Sequence, residues 1–169
     1  MPKYSEKRQI GNIAEDISAM FLVKSGHKIL DRNYLKKWGE LDIVSVDRSD
    51  TIHFIEVKCK TIWFSRETLS ENTNNLVSQY VSQKSFTKDS FKIELSRESY
   101  NEENDEYRPE DNVHYHKQKR MMRAIESYMM ENQDKMGERE WQIDVLAVAL
   151  DFSRETAIMR HIENVIFDI

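Results

Sequence analysis

Two short apolar runs joined by a polar turn constrain this chain more than any other feature. Leu41 to Val46 and Thr51 to Cys59 flank Asp47-Arg48-Ser49-Asp50, the pattern of a β-hairpin. Charged residues interrupt both runs. Asp42 lies within the first, and Glu56 and Lys58 lie near the end of the second. Side chains two apart on a strand share a face, so Glu56 and Lys58 project together. Glu40, two residues before Asp42, shares the face of that carboxylate. A strand is buried on at least one face, where a charge costs several kcal/mol unless paired or bound to a metal. The group is therefore either an ion-pair cluster or a site.

An Asp followed by Glu-Xaa-Lys on the neighbouring strand resembles the PD-(D/E)XK nucleases. The chain is similar in particular to the YraN-type family of small endonuclease-like bacterial proteins, itself similar to Holliday-junction resolvases. The residues that carry the resemblance are Gly11-Asn12-Ile13-Ala14-Glu15, Gly39-Glu40-Leu41-Asp42-Ile43-Val44 and Phe54-Ile55-Glu56-Val57-Lys58. Lys117 onward and the late run Gln142-Ile143-Asp144-Val145-Leu146 extend it. It covers roughly residues 8–62 and 113–166. The resemblance implies an α/β fold of restriction-endonuclease-like type, with a mixed central β-sheet flanked by helices and a long polar insertion.

It also implies roles. Asp42 and Glu56 would be carboxylate ligands of a hard divalent ion, Mg²⁺ or Mn²⁺, with the Val57 carbonyl and Glu40 as further ligands. Lys58 would orient or deprotonate the attacking water, or stabilise developing charge. Glu15 would hold a second metal or a metal-bound water. A lysine or glutamine on the following helix completes many such sites, and here Gln118 or Lys117 is the candidate. The expected reaction is hydrolysis of DNA phosphodiesters. The competing class is a non-catalytic nucleic-acid-binding or assembly module in which the charges form an internal salt bridge, since fold does not fix function.

At 169 residues the chain is expected to be one domain, 1–169, with an insertion at about 65–112. Charge argues about partners. The formal net charge is −5, whereas nucleic-acid binders are usually basic. Residues 66–111, however, hold 11 acidic and six basic residues, and the remainder holds 19 of each. The acidity belongs to the middle segment. Ser, Thr and Asn crowd residues 65–90, so this segment is expected to be a mobile or partly disordered excursion, with short elements at 75–81 and 91–95. A lid over the substrate is the sharper alternative.

Helical spacing predicts a helix over residues 5–25, with Ile10, Ile13, Ala14, Ile17 and Phe21 on one stripe and Gly26 as its cap. Glu15 falls off that stripe. A first strand is expected at 27–33, and Lys36-Lys37-Trp38 makes a basic, aromatic turn suited to phosphate and base contact. A second helix is expected over 113–133, with Met122, Ile125 and Met129 facing inward, Met121 and Tyr128 beside them, and Gln118 on the same face. Its first turns carry His116, Lys117, Lys119, Arg120 and Arg123, the densest basic cluster and the expected nucleic-acid-binding surface with Lys36 and Lys37. Strands follow at 141–150 and 155–166.

No His/Cys pair has zinc spacing and no Gly-rich phosphate loop is present. His53 alternates to the face opposite Glu56, and neither it nor His114 receives a role. The single Cys59 and the absence of a signal-peptide core or of an apolar run near 20 residues lead to the expectation of a cytoplasmic protein without a membrane partner. Its oligomeric state is left open, a homodimer included.

Overall fold

A computed structural model of the chain describes residues 6–62, 87–95 and 115–167. In chain order the elements are α1 (Glu6–Lys24), β1 (Lys28–Lys36), β2 (Gly39–Val46), β3 (Ile52–Ile62), β4 (Lys92–Leu95), α2 (Tyr115–Glu131), α3 (Gln133–Met136), β5 (Trp141–Asp151) and β6 (Thr156–Ile162). A 3-10 turn, Lys88–Ser90, leads into β4. The strands form one six-stranded sheet in the order β1-β2-β3-β5-β6-β4. The β3–β5 and β4–β6 pairs are parallel, and the other three are antiparallel. This mixed sheet with a helix on each face is of the α/β, restriction-endonuclease-like kind. Among the described residues no helix is long and apolar enough to cross a membrane.

The two faces have separate cores. Ala14, Ile17, Phe21 and Leu22 of α1 pack on Ile43, Ile55, Leu146 and Val148. Met121, Ala124, Ile125 and Tyr128 of α2 pack on Leu41, Val44, Phe54 and Ile143. Alternation along β3 puts Phe54 under α2 and Ile55 under α1, so every register position is assigned to one helix or the other.

Helix α1 stops where Gly26 takes φ +97°, with His27 N–H donating to Leu22 O and Gly26 N–H to Val23 O. That is a Schellman closure, and it turns the chain directly into β1. The β2–β3 turn is held by Asp47, whose Oδ1 accepts the Ser49 and Thr51 N–H groups. Gly39 opens β2 under α2, where a methyl group would collide with the Arg120 carbonyl and lie 3.2 Å from Ala124 Cβ. Only glycine allows this approach of helix to strand.

Two strand bounds and the inward face of α2 are corrected. The first strand runs on through Tyr34 to Lys36, and the last is shorter than expected, ending at Ile162. The buried stripe of α2 is Met121, Ala124, Ile125 and Tyr128, with Met122 and Met129 only partly buried beside it. The short element expected at 91–95 is present and ties part of the 65–112 segment into the fold. Phe91 is buried against Phe152, and β4 pairs with β6 at the sheet edge. The short element expected at 75–81 and the acidic run at 98–111 lie outside the described residues.

Candidate active site

The site forms where β2 and β3 part. Their pairing runs from Val46–Ile52 to Ile43–Ile55, while β3 continues alongside β5 as far as Ile62. Just past the last β2–β3 pair, Asp42 Oδ2 accepts the Val57 N–H at 2.8 Å. The side chain takes over from a ladder partner and is fixed by it. This also places the Val57 backbone at the carboxylate.

Glu56 is buried on the α2 face of β3. Its Oε1 is 3.0 Å from Lys58 Nζ and its Oε2 is 3.3 Å from Lys117 Nζ. Oε2 nevertheless has no hydrogen-bond partner. Lys117 also donates to Glu40 Oε1 at 2.9 Å. A helix projects i, i+4, i+7 and i+11 to one side, so Lys117 heads the same stripe as Met121, Ala124 and Tyr128 and is aimed at the sheet. Gln118, one position on, is half-buried.

Electrostatics follow from that crowding. Burial, and then Glu56, push the Asp42 carboxyl up to about 7, although the Val57 N–H and Lys117 pull the other way. Glu15 is raised mainly by burial, against an opposing hydrogen bond from Asn33. The hydrogen bond from Lys117 holds Glu40 below the ordinary value. Burial alone would lower Lys117, but Glu56, Glu40 and Asp42 outweigh it and hold the ammonium above the ordinary value. Glu15, Glu40 and Asp42 line one cleft of about 610 Å³, together with Asn33, Arg32 and Arg8. Asn33 adopts φ +54°, a conformation asparagine tolerates better than most residues. Arg32 is tied to Asp16 at 2.7 Å.

The structure thus brings Glu15, Glu40, Asp42, Glu56, Lys58 and Lys117 together from four elements. The donors suit a hard divalent cation. They are carboxylate oxygens crowded beyond what two lysines neutralise, with a buried Glu56 oxygen left without a hydrogen bond. Of the other expected nucleic-acid-binding residues, Arg120 is near enough to Glu40 to help hold its carboxyl down. Lys36 pairs with Glu131 at the opposite end of α2, at 2.8 Å. Lys37 lies over the Trp38 ring, and Lys119 over the Tyr115 ring. Arg120 and Arg123 are exposed on α2. His114 lies outside the described residues.

A second polar cluster escaped sequence reasoning. Asp144 is buried on the α1 face and accepts hydrogen bonds from His53 and His161. Those bonds, with one from the Asn164 N–H, hold its carboxyl below the ordinary range against the cost of burial. Asp144, His161 and Glu163 present ligand atoms within 4.8 Å of one another, a possible metal-binding triad. The only sequence signal was an aspartate inside a run otherwise apolar on both sides, Ile143-Asp144-Val145-Leu146.

Comparison with known proteins adds the following. The family model described as "Uncharacterised protein family UPF0102" matches residues 14–84. A UPF0102 protein of Clostridium tetani is 31% identical over 113 residues, covering 61% of this chain and 89% of that protein. One from Fusobacterium nucleatum is 53% identical over 51 residues, 30% of this chain and 42% of that protein. One from Trichlorobacter lovleyi is 43% identical over 61 residues, 36% of this chain and 48% of that protein. Against the last two, the chain spans slightly less than half of the relative's length. All three matches bear the UPF0102 name and no activity.

Proposed function

Because this chain belongs to UPF0102, a PD-(D/E)XK nuclease-like family, we propose that it hydrolyses phosphodiester bonds in DNA with the help of a divalent metal ion. The observation that carries this reading is the placement of Asp42. A carboxylate buried beside Glu56 and pushed up to about 7 is an unfavourable arrangement in a purely structural role. A bound divalent cation removes the penalty.

On this reading Asp42 and Glu56 would hold the ion, with the Val57 carbonyl and Glu40 as further ligands, and Glu15 would hold a second metal or a metal-bound water. Mg²⁺ or Mn²⁺ would supply charge stabilisation at the phosphoryl oxygens and an activated water. Lys58, fixed by Glu56, orients that water and offsets the charge that develops as the new P–O bond forms and the leaving oxygen departs. Lys117 neutralises Glu40 and Glu56 and keeps both carboxylates in place. Gln118 is next to it on the same helix turn. Lys119, Arg120 and Arg123 would run beside the phosphate backbone, with Lys36 and Lys37 farther along. We treat residues 1–169 as a single domain, with 65–112 as an insertion into it.

One observation favours a second reading. Glu56 is ion-paired with both Lys58 and Lys117, as an internal salt bridge in a non-catalytic DNA-binding module would be. Calorimetric titration with Mn²⁺ and incubation with a panel of labelled branched, nicked and single-stranded DNAs separate the two. The nuclease reading predicts metal binding lost in Asp42→Asn and Glu56→Gln, and cleavage lost with it. Cleavage by either variant at the wild-type rate would falsify the assignment. DNA binding without metal binding or cleavage would establish the module.

A further inference from the structure

Three of the chain's five histidines meet at one place. His27 follows α1, His53 lies on β3 and His161 on β6. The His27 ring centroid is 4.7 Å from that of His53 and 6.3 Å from that of His161. At their centre is the fully buried Asp144. Its Oδ2 takes His53 Nδ1 at 2.6 Å and His161 Nε2 at 2.9 Å, and its Oδ1 takes Gln142 Nε2 and the Asn164 N–H. Glu163 reaches the same place from the chain just after β6. His53 turns its other ring nitrogen away from Asp144, towards Asp47. His53 is 3% exposed, yet its Nε2 has no hydrogen-bond partner and lies 3.7 Å from Asp47 Oδ2.

We propose that Asp144, His161 and Glu163 bind a zinc-class transition-metal ion, on the sheet face opposite Glu56 and separate from the hard-cation site. Imidazole with carboxylates suits Zn²⁺ and its neighbours, whereas Mg²⁺ seeks oxygen donors and keeps its water. Two ligands of a tetrahedral ion at bonds of about 2.1 Å lie about 3.4 Å apart, so His161 Nε2 and Asp144 Oδ2, now 2.9 Å apart, need to open by only about 0.5 Å to admit it. The proton now shared between those atoms leaves to solvent as the nitrogen lone pair turns to the ion. His53 and Gln142 hold the Asp144 carboxylate from the side, the outer-shell support that metal-binding carboxylates use. The ion would tie the segment after β6 to β5, reinforcing the backbone bond from Val165 N–H to Ile143 O.

The test is made in the full chain carrying Asp42→Asn and Glu56→Gln, so that it does not depend on the proposed nuclease site. Co²⁺ serves as the probe for zinc after treatment with a chelator. The expected result is one bound Co²⁺, with a visible absorption band and a shifted imidazole N–H proton resonance, displaced by Zn²⁺. Glu163 is mostly exposed, so Glu163→Gln leaves the fold intact and should weaken binding at least about tenfold. His161→Gln should abolish it. Absence of Co²⁺ binding in this background, or equal affinity in Glu163→Gln, overturns the proposal and leaves Asp144 as a hydrogen-bonded hub.

Discussion

Lys117 on α2 and Glu56 on β3 place Nζ and Oε2 3.3 Å apart, so the helix supplies a counter-charge to a carboxylate buried in the sheet. The same ammonium holds Glu40. In the metal-free chain it occupies the side of Glu56 that a cation would otherwise neutralise. On the proposed reading, lysine and metal ion would be electrostatic competitors for one group of carboxylates.

Lys117→Met follows from that competition. Removing one partner of a buried pair leaves an uncompensated charge, although Lys58 still faces Glu56, so a loss of about 1–2 kcal/mol is expected in chelator. Mn²⁺ should restore more stability to the variant than to the wild type and should bind it more tightly. Thermal denaturation with and without Mn²⁺ measures both. Equal metal affinity and equal stability in the two proteins would remove Lys117 from the site.

Asp42 gives a pH dependence with a definite sign. Its carboxyl is raised by burial and by Glu56 from 3.8 to about 7. Between those values the folded chain holds a proton that the unfolded chain has released, so metal-free stability should fall as pH rises through the window. Metal binding needs the ionised form, so Mn²⁺ affinity should rise over the same range. Urea titrations from pH 4 to 8 should lose most of this slope in Asp42→Asn. A slope unchanged in the variant would mean that another group carries it.

Gly39 is the contact on which the approach of α2 depends. A methyl group there meets the Arg120 carbonyl, a backbone atom that cannot rotate away. Gly39→Ala should cost about 1–3 kcal/mol and weaken metal-dependent cleavage by moving Lys117 off Glu56. Gly11, in α1 with open space around it, is the control, and Gly11→Ala should stabilise by about 0.5–1 kcal/mol. Denaturation midpoints of the two variants that move together would show that packing at β2 does not set the helix position.

The outer face of α2 borders the site, with Arg120 near enough to act on Glu40. Replacing Lys119, Arg120 and Arg123 together should weaken binding of all DNA sequences alike. On duplex DNA the slope of log affinity against log salt should fall by about 0.9 for each phosphate that the variant no longer neutralises. Stability should barely change. An unaltered slope would place the nucleic acid elsewhere.

How much of this was legible in the sequence depended on how local each signal was. The hairpin, the Gly26 cap and the gathering of Asp42, Glu56 and Lys58 rest on periodicity and turns within about 25 residues, so they could be read directly. The inward face of α2 was read one position off, because Met121, Met122, Met129 and Met130 crowd both sides of the stripe. Of the Asp144 cluster, only the aspartate inside an apolar run was legible. Its members stand at 27, 53, 144 and 161, and they meet only because β3–β5 register sets His53 opposite Gln142 while β5–β6 register sets His161 opposite Leu146. Spacing rules look for groups close in sequence and miss a cluster that strand pairing assembles.

The last prediction concerns the part of the insertion that packs. Composition made 65–112 look like a solvated excursion, yet Phe91 is 6% exposed and its ring centroid is 5.3 Å from that of Phe152. The Lys92 N–H donates to Glu155 O at 2.7 Å, and β4 then pairs in parallel with β6. A phenylalanine in such a place contributes burial that truncation forfeits, so Phe91→Ala should cost about 3 kcal/mol or more. Leu95, exposed at the end of β4, should cost no more than about 0.5 kcal/mol when cut to alanine. Urea midpoints decide between them. If both variants unfold like the wild type, β4 is a passenger on the sheet edge. If only Phe91→Ala is destabilised, residues 87–95 belong to the core, and any deletion meant to test the acidic segment must leave them in place.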